Sequence, residues 1–200
     1  KLICAQVAKE FEALEKMPSD RREGLFKTGF HLLKGRFFRL KEEIGRAIEE
    51  IDKGLAGINN LGGGVSAGSL RAEMLYERGL CKSKSRLARE AADDFREALD
   101  MFLDEENVWE IVLGEKEGLR PLAEYVKERL FKREKRIVLS ILLELSVVLI
   151  RLNKTEESRK ALALAGILAA DEREINDLKL EQARIFFNNC KILPVVSGSN

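Results

Sequence analysis

The sequence predicts an all-α chain folded as successive antiparallel helical hairpins, and three observations carry that prediction. Apolar residues recur at helical spacing along almost the whole chain. Proline is scarce, at 3 in 200 residues, and β-branched runs are few, so little interrupts a helix or favours a strand. Small residues recur in a set order. Gly35, Gly79 and Ser146 are each followed 12 positions later by Ala47, Ala91 and Ser158, and further steps of 4 and 3 reach Gly54, Ala98 and Ala165.

The elements follow in order. Ile3, Val7, Phe11, Leu14 and Met17 give an amphipathic helix over 2–17, stopped by Pro18. The stripe from Phe26 through Phe30, Leu33, Phe37 and Leu40 to Ile58 advances in steps of 3 and 4, which fits one long rod or two helices in register. Glycine decides between them. Gly29, Gly35, Gly45, Gly54 and Gly57 all fall here, and each costs about 1 kcal/mol inside a helix. Closely crossing helices offset that cost, so a hairpin is expected over 21–59. The Gly-rich stretch 59–69 reads as a flexible connector, and it lacks the Gly-Lys-Ser/Thr of a phosphate loop. A second hairpin is expected over 70–103. A shorter one is expected over 105–133, with Pro121 in the first turn of its second helix. The last, over 137–169, is followed by a helix over 171–189 and a disordered tail at 194–200. All of it is expected to form one domain over 1–193.

Composition narrows the functional classes. With 45% apolar residues the chain can fill a core, and its 35 basic residues nearly cancel 34 acidic ones. A net charge of +1 lacks the basic excess of a dedicated nucleic-acid binder. Cys4, Cys81 and Cys190 have no paired spacing and read as free thiols. That implies a reducing compartment: cytoplasm, nucleus, or an organelle reached with a transit peptide since removed. The apolar run at 137–150 is 14 residues long and contains Glu144, short of the ~20 residues a spanning helix needs.

Parts for catalysis are wanting. His31 is the only histidine and has no Cys or Ser in helical reach. Adjacent pairs such as Glu42 and Glu43, Glu49 and Glu50, or Glu156 and Glu157, point in different directions on a helix and read as solvated charge with no desolvating context. No enzyme activity, metal or cofactor is expected.

The three spaced hairpins resemble tetratricopeptide repeats, in which a small residue on the first helix packs against small residues on the second. The segments 35–55, 76–99 and 145–168 carry the resemblance most closely, within hairpins that cover about half of the chain. The terminal proline is absent from each, and the copies lie 44 and 67 residues apart where the family spacing is 34. The resemblance implies a short right-handed solenoid whose first helices line a concave groove. That groove would present Leu32, Leu33, Arg36, Arg39 and Leu40, then Glu73, Tyr76, Glu77 and Leu80, then Leu143, Glu144, Val147 and Arg151. Family members that grip a chaperone's C-terminal carboxylate place Lys, Asn and Arg where this chain has Leu32, Arg36, Glu77, Ser140 and Glu144. Two glutamates repel a carboxylate, so an apolar or basic helical segment is the better fit.

These features point to a non-catalytic adaptor, or a subunit of a larger assembly, with a protein partner. An acidic zone containing Glu97, Asp104, Glu110 and Glu117 surrounds Trp109, a candidate interface anchor. The alternative is single-stranded RNA binding by basic faces over 21–41 and 127–136. Its contacts would come from Lys27, Lys34, Arg36, Arg39, Arg129, Lys132, Arg133 and Arg136. A third reading is a ligand- or peptide-sensing regulatory domain.

Overall fold

The computed structural model describes residues 24–59, 65–103 and 132–169, without the side chains of 25, 59, 65, 66, 132, 133 and 169. All regular structure among them is helical: α1 (Leu25–Leu40), α2 (Ile44–Asn59), α3 (Val65–Lys84), α4 (Ala88–Leu103), α5 (Lys132–Arg151) and α6 (Thr155–Ala169). The expected helices at 2–17 and 171–189, the tail at 194–200 and most of the hairpin at 105–133 lie outside the described residues. The chain divides into two compact units, Lys1–Met101 and Phe102–Asn200.

The same turn closes all three hairpins. Glu42, Arg86 and Asn153 take the left-handed conformation, with φ of 63°, 64° and 60°. The following amide reaches back five residues in each: Glu43 N–H to Phe38 O at 2.9 Å, Leu87 N–H to Lys82 O at 2.9 Å, and Lys154 N–H to Leu149 O at 2.8 Å. The left-handed residue donates three residues back, to Arg39, Ser83 and Ile150. This Schellman closure satisfies carbonyls that a helix end would leave open. Such short connections force the two helices to run antiparallel. They explain how the stripe from Phe26 to Ile58 breaks without glycine or proline at the break.

Small residues then set how near the helices come. A Cβ on Gly35 would sit 2.5 Å from Ile51 Cγ1 and 3.4 Å from Ala47 O. At Gly79 it would meet the Phe95 ring at 2.6 Å. In the α5–α6 hairpin the Ser158 hydroxyl donates to Ser146 O at 3.0 Å, a bond across the same 12-residue interval. Gly54 marks a three-helix junction, where a Cβ would lie 2.5 Å from Met74 and 3.2 Å from His31.

In the first unit α3 packs against both α1 and α2. Leu32 and Phe38 from α1, Ala47, Ile51 and Ile58 from α2, and Ala67, Met74 and Cys81 from α3 form one buried cluster. Two boundaries differ from expectation. Helix α3 starts at Val65, inside the predicted connector, because Ala67 is buried in that cluster; tertiary burial outweighs the poor helix propensity of Gly and Ser. Helix α5 starts at Lys132, ahead of the apolar run, since Lys, Arg and Glu are good helix formers and no breaker precedes Ile137. The α5–α6 hairpin buries Leu142, Leu145, Leu149 and Leu164, so the run at 137–150 is hairpin core. No described helix is long and apolar enough to cross a membrane.

Two glycines test this packing in opposite directions. Gly79→Ala should lower stability: overpacking against the fully buried Phe95 ring costs about 1–3 kcal/mol, more than the roughly 1 kcal/mol gained in propensity. Gly45→Ala, where a Cβ meets nothing within 4 Å, should gain about 1 kcal/mol. Urea unfolding midpoints of the two variants would separate these outcomes.

Candidate interaction surface

Three groups of charged residues meet around α1, α2 and α3. Arg36 donates from Nε to Glu77 Oε1 at 2.7 Å and from Nη2 to Glu73 Oε2 at 2.8 Å. Arg39 Nε reaches the other Glu77 oxygen at 2.7 Å. Residues 36 and 39 share a face of α1, and 73 and 77 share a face of α3, by helical spacing. The ions therefore tie α1 to α3. Both carboxylates are buried, at 6% and 4% exposure, while the guanidiniums stay half-buried. Burial would lower the Arg36 pKa, but bonds to Glu77 and Glu73 outweigh it and hold the group above its ordinary value.

The second group ties α3 to α2 and α4. Arg78 grips Asp94 with two bonds of 3.0 and 2.7 Å and reaches Asp52 at 2.8 Å. Lys82 adds a contact to Asp94 at 2.9 Å. Desolvation opposes the charge on Arg78, yet Asp94 and Asp52 together raise its pKa. The third group lies in the α1–α2 hairpin and corrects the reading of Glu50 as solvated charge: the residue is buried, at 7% exposure, because α1 supplies His31 and Lys34 against it. Glu50 faces His31 Nδ1 at 3.0 Å, Lys34 at 3.1 Å and Lys53 at 2.7 Å. Burial would push its carboxyl up, but hydrogen bonds from Lys53, His31 and Lys34 hold it at about 2. Cys81 is a buried free thiol whose pKa desolvation pushes up to about 11, so it stays protonated and unreactive near neutrality.

The expected groove residues therefore divide. Leu32 is core, at 4% exposure, in the cluster that α1, α2 and α3 share. Arg36, Arg39, Glu73 and Glu77 are joined to one another, and Tyr76 is half-buried with its ring centroid 6.1 Å from that of Phe95. Leu80 is half-buried. Leu33 and Leu40 stand out, at 54% and 75% exposure, and Phe26 on the same face is 56% exposed. In the second unit, Leu143, Glu144 and Val147 on α5 are half-buried and Arg151 is exposed. Trp109 and Arg129 lie outside the described residues, as do the side chains of Lys132 and Arg133.

Most described cations of the first expected RNA face already have partners. Lys34 is joined to Glu50, Arg36 to Glu73 and Glu77, and Arg39 to Glu77. The rings are engaged as well: Lys34 lies 5.7 Å from the Phe30 centroid, Lys41 lies 4.9 Å from that of Phe37, and the Arg46 guanidinium 4.1 Å from that of Phe38. Lys27 and Arg136 are exposed. These pairings, within the α1–α2 hairpin and with α3, engage charges and π faces of the kind a base and its phosphate would need. The signal for this was present in the sequence, as Arg pairs on one first helix and Glu pairs on the next.

Among the described residues no group of three His, Cys, Asp or Glu side chains could hold a metal ion. Comparison of the chain with protein-family models, with curated proteins and with solved structures gives no match.

Breaking the ion cluster should be costly where it is buried and cheap where it is not. Glu77→Ala leaves two half-buried guanidiniums short of a carboxylate and should lose about 3 kcal/mol. Arg159→Ala removes an exposed pair with Glu156 and should change stability by less than about 1 kcal/mol; chemical denaturation of both gives the comparison. Stability should also depend on Glu50. Its folded pKa is depressed from 4.5 to about 2, so the unfolded chain binds more protons between those values. The contribution is complete above the unfolded value and is lost as pH falls through the folded one. Glu50→Gln should flatten that part of the acid unfolding curve.

Proposed function

We propose that this chain is a diverged helical-repeat scaffold, resembling tetratricopeptide repeats, that holds a protein segment against α1 and α3 and performs no chemistry of its own. The observation that carries this reading is the face of α1, where Leu33 and Leu40 flank Arg36 and remain exposed while Glu73 and Glu77 are neutralised by Arg36 and Arg39. Three hairpins with one closing turn and one pattern of close approach support the repeat reading. The packing of α3 against both helices of the preceding hairpin supports stacking in the first unit.

The neutral floor selects among partners. Glu73 and Glu77 would attract a basic segment if unpaired, but Arg36 and Arg39 cancel them. What remains for recognition is apolar area, which suits an amphipathic helix better than a charged tail. Binding energy then comes from covering leucine side chains.

The test is affinity purification with the wild-type chain and with Leu33→Glu combined with Leu40→Glu. Both positions are exposed, so the double variant should keep its circular dichroism and melting temperature. It should lose the specific partners recovered by the wild type. Recovery of the same partners at the same yield would remove α1 as the docking face.

A further inference from the structure

We draw no further inference here: the strongest candidate, the basic turn between α3 and α4 where Lys84, Arg86 and Arg89 stand exposed beside the N-terminus of α4, is surface charge at a helix end, and nothing in the structure shows which anion would meet it.

Discussion

Two helices in a hairpin can approach only as closely as the side chains between them permit, and in this chain that limit is set at a few positions. Gly35 lies against Ile51 and Ala47, Gly79 against Phe95, and Ser158 is hydrogen-bonded across to Ser146. Close approach brings the rest into place. It lets Ile51 and Phe95 fill the space beside Gly35 and Gly79. It also fixes the register in which a three-residue turn can close the pair, with its middle residue left-handed. Each hairpin meets the same constraint with different residues: Ile51 supplies the bulk in one and an aromatic ring in the next.

Helix α3 is where the first unit is held together. It contributes Met74 and Cys81 to the shared core, and it carries charged partners toward three other helices. Glu73 and Glu77 engage α1, while Arg78 engages α2 and α4. Moving these carboxylates out of water is costly, and their pairing offsets that cost without producing a large net gain. Their geometric demand is stricter than that of an apolar contact. An Arg36 that must meet Glu73 and Glu77 together permits one placement of α1 on α3, where leucines alone would permit several.

The candidate site was half legible before folding. The positions on the first helices, Leu33, Arg36, Leu40, Glu73 and Glu77, follow from helical spacing and from the repeat-like pattern. Their roles do not, because a charged residue on a predicted groove can face a ligand or a neighbouring helix. The structure joins Arg36 and Arg39 to Glu77 and leaves Leu33 and Leu40 outside. What reads as a charged groove is therefore a neutralised floor with apolar residues beside it. The basic and aromatic stretch around Phe37 is likewise resolved by contact: its cations lie over its own rings and against Glu50 and Glu77.

Local pattern alone determined that the regular structure of the described residues is helical. The 3.6-residue period, the rarity of proline and the 12-residue interval between small residues are all properties of neighbouring stretches of sequence. Tertiary structure decided the rest. Val65–Ser69 is helical because Ala67 is buried, which no local preference of Gly and Ser would produce. The break at Glu42 is held by Schellman hydrogen bonds and by packing between the hairpin's own helices, not by a breaker residue. Which charges are spent inside and which apolar residues remain outside depends on pairings between residues about 40 positions apart, such as Arg36 with Glu77, and spacing along one helix contains no information about its neighbour.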